Sequence, residues 1–474
     1  MEAKAKTALS YIDMQQDNII KLSDSIWELA ELALHEDQSA ELLAGALRAE
    51  GFSVETGQGG MPTAFVATWG SGWPVIGFLG EYDALAGLSQ KAVPVKEPLT
   101  PGASGHGCAH NLLGAAVYGA VIGLKREMEA GGLSGTIKYF GCPAEENLSG
   151  KAFMAREGVF EGCDVCLTWH PSELNRVWTS STLANNAANF TFYGRSAHAA
   201  GDPHNGRSAL DAVQLMNLGV EFLREHMPSK ARVHYVITGG GGQPNVVPPV
   251  AKVWYLVRSP LREEVDELWE RILKCANGAA EMTETRYEVE LLKAIWNVVP
   301  NSALEDVLEA SFKRVGPPTF TNADRAFAAE IDKSIPPAQK DGFMRAFHVP
   351  EDMWGKTLNN TVLVRPAVPE EMMGSTDVGD VSWCCPTAQF GTACAAMATP
   401  GHSWQNTAQA GMGIGHAGMI AAAKVLAEAG LELLTNPEAV RKAKDEFAKL
   451  TGGKAYKCAM PPEHKPAFHQ FAKQ

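Results

Sequence analysis

The order of apolar segments in the first third of the chain constrains the fold more than any other feature of the sequence. Five short runs have the length and composition of buried strands. They are FSVET (52–56), TAFVATW (63–69), PVIGFLG (74–80), TIKYFG (136–141) and DVCLTW (164–169). Helical periodicity covers residues 110–128 and about 148–157 between them. This alternation predicts an α/β fold with an open, mostly parallel sheet that is covered by helices.

A second unit with a different order of elements begins near residue 186. Apolar patterns over residues 186–300 predict the order β-α-β-β-α-β, which can form a small sheet with helices on one face. At 474 residues the chain exceeds one core of usual size, so two domains are expected. Candidate site residues occur on both sides of the second unit. We therefore expect it to be an insertion between two parts of one catalytic domain, residues 1–185 and 301–474.

Composition argues against several classes of function. The formal net charge is −13 and the basic residues form no block, so a nucleic-acid or anionic-membrane surface is not expected. The N-terminal segment lacks the apolar core of a secretory signal, and no uncharged apolar run of about 18 residues occurs. Nine cysteines without a dense framework are typical of a reducing compartment. The sequence thus predicts a cytoplasmic protein.

Four short segments contribute residue types that bind metals. They are GHGCAHN (105–111), AEE (144–146), TWHP (168–171) and PGHSW (400–404). The candidate ligands are a thiolate, imidazoles and a carboxylate, a mixture that suits zinc or a neighbouring divalent metal. These ligands are Cys108, His110, Glu146, His170 and His402. The first three segments fall at predicted strand ends or helix starts, where α/β sheets place their sites.

The residue types also predict a reaction. A thiolate can bridge two cations, so the set favours two divalent metals, zinc or manganese, about 3.5–4 Å apart. Such a pair lowers the pKa of a bound water and polarises a carbonyl group. Glu145 precedes a proposed ligand and can act as general base and then as acid to a leaving amine. Each segment alone is more often structural, but their occurrence together indicates a metal-assisted hydrolase.

The combined motifs resemble the dinuclear metallopeptidase and aminoacylase superfamily, which includes bacterial carboxypeptidases acting on folates and plant auxin-conjugate amidohydrolases. The resemblance covers nearly the whole chain and implies a catalytic domain with an inserted lid and dimerisation domain. Its matching segments are GFLGEYDALAGL (77–88), GHGCAHNLLG (105–114), GCPAEE (141–146), TWHP (168–171), GRSAHAAGDPHNGRSALDA (194–212), PNVVP (244–248), GSTDVGDVSW (374–383) and PGHSWQ (400–405).

The resemblance also assigns roles to individual residues. It implies the same five metal ligands and Glu145 as the base. Asp83 would orient the metal site, and His198 would reach across a dimer to stabilise the oxyanion. Asn245 and Arg258 would hold the substrate's carbonyl and carboxylate, and arginine can meet a carboxylate with two hydrogen bonds.

Two features fit the family pattern less well. Ala109 stands where the family usually has glycine between the cysteine and the histidine. If that position requires a positive φ, the Cβ strains the turn by about 1 kcal/mol or more. Segment 315–370 matches no motif with known chemistry, and Trp354 within it is a candidate to stack on a ring of the acyl group.

The expected activity is hydrolysis of the amide that joins an acyl or aroyl group to an amino acid. The resemblance favours p-aminobenzoyl-glutamate, which would give p-aminobenzoate and glutamate. An aminohydrolase acting on a small aromatic amine is an alternative. A second alternative is a subunit that is active only in a heteromer with a related A-type subunit, although a homodimer is the expected assembly.

Overall fold

The computed structural model describes residues 2–366 and 372–469. In chain order its helices are α1 (Lys6–Met14), α2 (Gln16–Leu29), α3 (Asp37–Ala49), α4 (His110–Gly131), α5 (Gly150–Arg156), α6 (Ala209–Leu223), α7 (Arg262–Thr283), α8 (Ser302–Val315), α9 (Asn322–Lys333), α10 (Pro337–Ala346), α11 (Val378–Cys384), α12 (Trp404–Ala410), α13 (Gly413–Thr435) and α14 (Pro437–Thr451). Its strands are β1 (Ser53–Thr56), β2 (Phe65–Ser71), β3 (Val75–Glu81), β4 (Gly135–Cys142), β5 (Val165–Ser172), β6 (Arg176–Trp178), β7 (Ala184–Tyr193), β8 (Arg232–Gly239), β9 (Val250–Ser259), β10 (Arg286–Ile295) and β11 (Thr387–Ala393).

The larger sheet has seven strands in the order β1-β2-β4-β3-β5-β11-β6. Strands β4, β3, β5 and β11 are parallel, whereas β1, β2 and β6 pair antiparallel at the two sides. The predicted α/β fold with a mostly parallel sheet is therefore confirmed for the centre of the sheet. The antiparallel edges were not predicted because an apolar run carries no information about strand direction.

Helices cover this sheet and form the main core. Helix α4 is buried along most of its length and packs against α13, α1 and α2. Gly119 allows this close packing, since a Cβ there would come within 3.3 Å of the Ala423 side chain. Helix α4 ends where Gly132 adopts a left-handed conformation, a common stop signal. Within the described ranges, no helix has both the length and the apolar character that crossing a bilayer requires.

The smaller sheet has four antiparallel strands in the order β10-β7-β9-β8. Helices α6 and α7 pack on one face, where Phe190, Tyr255 and Val257 are buried. The chain order β7-α6-β8-β9-α7-β10 is the predicted β-α-β-β-α-β order. The other face of this sheet is free to contribute side chains to a site.

A close backbone contact joins the end of the smaller sheet to the catalytic part of the chain. Gly379 in α11 lies against the carbonyl group of Trp296, which follows β10. A Cβ on Gly379 would lie 2.0 Å from that carbonyl oxygen. The contact therefore requires glycine, and it fixes the start of α11 relative to β10.

Replacing Gly379 with alanine should lower the free energy of unfolding by about 2 kcal/mol, because the backbone must move to admit the Cβ. Gly278→Ala in α7 is the matched control, since a Cβ there meets nothing within 4 Å. Alanine's helix propensity should make that control more stable by about 0.5–1 kcal/mol. Urea denaturation followed by circular dichroism measures both variants. Equal destabilisation of the two would contradict the proposed importance of the contact.

Candidate active site

A cavity of about 360 Å³ lies between the central strands of the larger sheet and the open face of the smaller one. This cavity is lined by four of the predicted metal ligands and by the predicted general base, together with Arg258 of β9. The five are Cys108, Glu145, Glu146, His170 and His402. One local detail differs from the prediction, since His170 lies within β5 and not after the strand.

His110, the first residue of α4, is held by Asp83. Its Nδ1–H donates to Asp83 Oδ1 at 2.8 Å, and Asp83 Oδ2 accepts from the backbone N–H of Glu146 at 2.9 Å. His110 Nε2 is buried and has no hydrogen-bond partner among the described residues, although Glu81 Oε2 lies 3.2 Å away. Because Nδ1 carries the proton, the Nε2 lone pair is available to a metal. Asp83 thereby occupies the position of an orienting residue.

His170 presents a second imidazole nitrogen. Its Nδ1 lies 2.7 Å from the carbonyl oxygen of Pro171 and therefore carries the proton, while Nε2 lies 3.5 Å from Cys108 Sγ. Burial, together with repulsion from His110, lowers the pKa of His170 to about 4. The ring is consequently neutral at physiological pH, with the Nε2 lone pair free for coordination. The indole of Trp178 stacks on it at 5.6 Å between ring centroids.

Cys108 connects two groups of possible ligand atoms. Within each group the atoms lie within 4.8 Å of one another, and the groups are Cys108 with His110 and His170, and Cys108 with Glu146 and His402. Burial and the Glu146 carboxylate raise the pKa of the Cys108 thiol. A thiolate here therefore needs a cation beside it. The donor types and the partnerless Glu146 Oε1 in the described part of the chain fit divalent metals.

The backbone at this site is strained at three positions. Ala109 has φ 60°, Ala144 has φ 61° and His402 has φ 51°, all in the left-handed region. The positive φ considered for Ala109 is thus observed, and its Cβ costs about 1–2 kcal/mol in that conformation. The left-handed conformation of Ala144 is stabilised by Glu36, whose Oε1 accepts a hydrogen bond from the backbone N–H of Ala144 at 2.9 Å. Such strain persists only where surrounding contacts fix the backbone, as they do here.

Glu145 has the environment of a proton carrier. Its carboxylate lines the cavity beside the candidate ligands. Burial, followed by repulsion from the Glu81 and Asp377 carboxylates, raises its pKa. A raised pKa favours uptake of a proton, as a general base at this position requires.

An ion network beneath the cavity has no counterpart in the sequence-based predictions. Lys151 Nζ lies 2.5 Å from Glu81 Oε1 and 2.7 Å from Asp377 Oδ1, and all three side chains are buried. No local spacing connects these residues, because they come from α5, the end of β3 and the residue before α11. The available signal was that Glu81 and Asp377 both occur in segments that match the family.

Two predicted lid residues lie outside the cavity in the single chain. His198 and Asn245 are exposed and adjacent, since the backbone N–H of Ala199 donates to Asn245 O at 3.0 Å. His198 Nδ1 accepts from the backbone N–H groups of Ala200 and Gly201 at 3.2 and 3.0 Å. The Nε2 atom therefore carries the proton and is a donor. Their predicted roles remain predictions.

Trp354 does not have the position suggested for it. Its side chain is 39% exposed, and the indole N–H donates to the carbonyl oxygen of Val349 at 3.0 Å. The tryptophans that line the cavity are instead Trp169 and Trp178. Segment 315–370 lacked any motif to distinguish these possibilities, and residues 367–370 of it lie outside the described ranges.

Comparisons with known proteins place the chain in a family. A family profile for the peptidase dimerisation domain of the M20 family matches residues 185–283, which include α6 and α7. The chain is 41% identical to the B-type subunit of p-aminobenzoyl-glutamate hydrolase of Escherichia coli, covering 96% of this chain and 97% of the relative. It is 30% identical to mouse Xaa-Arg dipeptidase, covering 67% of this chain and 72% of that protein.

A solved structure shares the fold. The dinuclear metal-binding peptidase of the M20 family from Bacillus subtilis has a TM-score of 0.59 and 15% identity, covering 89% of this chain and 99% of that one. The similarity to the Escherichia coli relative extends over almost the full length of both chains. The protein therefore belongs to the family of the B-type subunit of p-aminobenzoyl-glutamate hydrolase, within the M20 peptidases, and is a metal-dependent amidohydrolase.

Proposed function

We propose that this protein hydrolyses p-aminobenzoyl-glutamate to p-aminobenzoate and glutamate. The observation that carries the proposal is the meeting of candidate ligands, Glu145 and Arg258 in one cavity. The chain aligns with 97% of a relative named for this reaction. The cavity volume of about 360 Å³ suits a small-molecule substrate.

In this proposal Cys108, His110, Glu146, His170 and His402 hold two divalent metals. The bound metals would polarise the scissile carbonyl and make a water more acidic. Zinc suits the thiolate, and manganese suits the carboxylate and imidazole donors. Asp83 keeps His110 and the loop of Glu146 in position through its two hydrogen bonds.

Glu145 carries the proton in the proposed reaction. Its carboxylate accepts a proton from the attacking water and then transfers it to the nitrogen of the leaving amine. Arg258 binds the substrate's α-carboxylate, and Asn245 and His198 bind its carbonyl oxygen as the anion develops. His198 and Asn245 are exposed in one chain, so we infer that they serve the cavity of a dimer partner.

The assembly and organisation follow from these roles. We propose a homodimer through the inserted domain, residues 186–300, with residues 1–185 and 301–474 forming the catalytic domain. A heteromer with an A-type subunit remains the alternative, since the relative is named as a B-type subunit. All nine cysteines are free thiols, which supports a cytoplasmic location.

Glu145→Gln should lower kcat by about 1,000-fold or more, because glutamine cannot accept the proton. Metal content, measured by mass spectrometry of the purified protein, should not change. Glu157→Gln is the control, since Glu157 is exposed and pairs with Arg156 outside the cavity. Retention of full activity by Glu145→Gln would rule out this residue as the base.

Removal of metal should abolish release of glutamate, and added zinc or manganese should restore it. Cys108→Ala should reduce the amount of metal retained after gel filtration by about half or more, because one donor atom would serve both ligand groups. Cys275→Ala is the control for losing a free thiol outside these groups. Activity that survives complete chelation would contradict a metal-dependent reaction.

Mixing two inactive variants tests whether His198 acts on the partner's cavity. A hybrid of Glu145→Gln and His198→Ala chains would contain one complete site, because the intact base and the intact His198 then meet. After subunit exchange, random pairing should restore about one quarter of the activity of the natural homodimer. Activity that stays at the level of the separate variants, with exchange verified, would place His198 in its own chain's site or outside catalysis.

A further inference from the structure

The open face of the smaller sheet contributes to the cavity a lysine that has no role in the proposed reaction. Lys293 of β10 lines it together with Arg258 of β9 and Asn185 of β7. The backbone pairs Asn185 with Arg258 on one side and with Ile295 on the other. Lys293 is two residues from Ile295 and so projects from the same face. The two side chains therefore flank β7 on the wall of the cavity that the smaller sheet forms, with Lys293 next to the loop that bears Glu146.

Polar atoms on this wall lack partners. Asn185 is 1% exposed, and neither its Nδ2 nor its Oδ1 has a hydrogen-bond partner within residues 2–366 and 372–469. The same holds for Arg258 Nε. A buried amide without partners costs about 1–3 kcal/mol, so its presence indicates a ligand that completes the bonding.

Burial lowers the pKa of Lys293, and the nearby carboxylates of Glu145, Asp377 and Glu146 offset this effect in part. Across those same ranges, neither Arg258 nor Lys293 forms an ion pair. Lys293 Nζ donates to the backbone carbonyl oxygen of Glu146 at 3.3 Å. By contrast, Lys151 beneath the cavity is neutralised by two carboxylates. The wall thus presents the Arg258 guanidinium and the Lys293 amine to a bound molecule, neither of them in a close ion pair with a described residue.

From this arrangement we propose that Lys293 recognises the side-chain carboxylate of an acidic amino acid in the substrate. Arg258 and Asn185 then bind the α-carboxylate, which every N-acyl amino acid possesses. Neighbouring strands lie about 4.8 Å apart, so β9 and β10 are roughly 10 Å apart across β7, and their long side chains can converge on one dicarboxylic amino acid. The inference rests on the proposed amide hydrolysis and specifies its substrate class.

The charge of this wall also leads us to expect an amino-acid preference different from that of one relative. The mouse relative is named as an Xaa-Arg dipeptidase. A pocket for a guanidinium needs carboxylates or other acceptors, and like charges in a water-poor site repel. Arg258 and Lys293 would therefore disfavour an arginine side chain and favour glutamate or aspartate in the same position.

The test compares 4-aminobenzoyl-glutamate with 4-aminobenzoyl-glutamine, its neutral counterpart of nearly equal shape, using the metal-loaded full chain. The natural protein should prefer the glutamate substrate by about 100-fold in kcat/KM. Lys293→Met should lower kcat/KM for that substrate by about 100-fold, mainly through KM, and change the glutamine substrate by less than about threefold. Lys293→Arg should retain the preference, because it retains the charge.

Lys252→Met is the matched control, since Lys252 lies near the start of β9, at the other end of the strand from Arg258, and pairs with Glu290 at 3.7 Å. It should leave both substrates unaffected. Equal losses on both substrates in Lys293→Met would overturn the proposal and indicate an effect on Glu145 instead. A natural protein that hydrolyses the glutamine or an N-aroyl arginine substrate as well as the glutamate one would also overturn it.

Binding of the free amino acid separates this inference from the proposed reaction. If no N-aroyl amino acid is hydrolysed, the proposed function fails. Calorimetry with free glutamate, glutamine and arginine would still measure whether Lys293 selects an acidic amino acid. Glutamate should bind to the metal-loaded protein about 10-fold or more tighter than glutamine, and Lys293→Met should remove the difference. Equal affinity for glutamate and glutamine would overturn the assignment of Lys293.

Discussion

The carboxylate of Asp83 is the constraint on which the rest of the site depends. One oxygen accepts from His110 Nδ1 and the other from the backbone N–H of Glu146, at 2.8 and 2.9 Å. A single buried side chain thus fixes a ring at the start of α4 and the loop that follows β4. Because that loop also bears Glu145, the same interaction sets the proposed base relative to the candidate ligands. Loss of these hydrogen bonds would disturb metal binding and proton transfer together.

The surroundings of Asp83 explain why the metal end of the cavity needs additional positive charge. Glu36, Glu81, Asp83 and Asp377 are all buried near it, and Lys151 pairs with only two of them. Burying carboxylates without cations is costly, and the cost appears as raised pKa values at Glu145 and Cys108. Divalent metals on the proposed donors would lower this cost. The fold and the metals are therefore expected to stabilise one another.

Local pattern was sufficient for the chain order of the first five strands and of the elements of the smaller sheet, and insufficient for what the tertiary structure decides. The apolar runs that became β1 to β5 lie within a few residues of their predicted positions. The pairing of Lys151 with Glu81 and Asp377 joins residues up to 296 positions apart, counting from 81 to 377, and no spacing encodes it. Trp354 does not line the cavity, which the sequence did not indicate because aromatic character alone does not reveal which surface a residue faces.

The two sheets contribute side chains of opposite charge to the walls of one cavity. The larger sheet and its loops supply the candidate donors, the proposed base and an excess of carboxylates, whereas β9 and β10 of the smaller sheet supply Arg258 and Lys293. A substrate with its amide near the candidate donors and its carboxylates near Arg258 and Lys293 would complement both. Because Arg258 and Lys293 lie on a separately built sheet, substitutions there would change the amino acid selected, under the proposed roles, while the candidate donors of the larger sheet are retained. This separation provides a physical route by which relatives named for p-aminobenzoyl-glutamate and for Xaa-Arg substrates can share one catalytic framework.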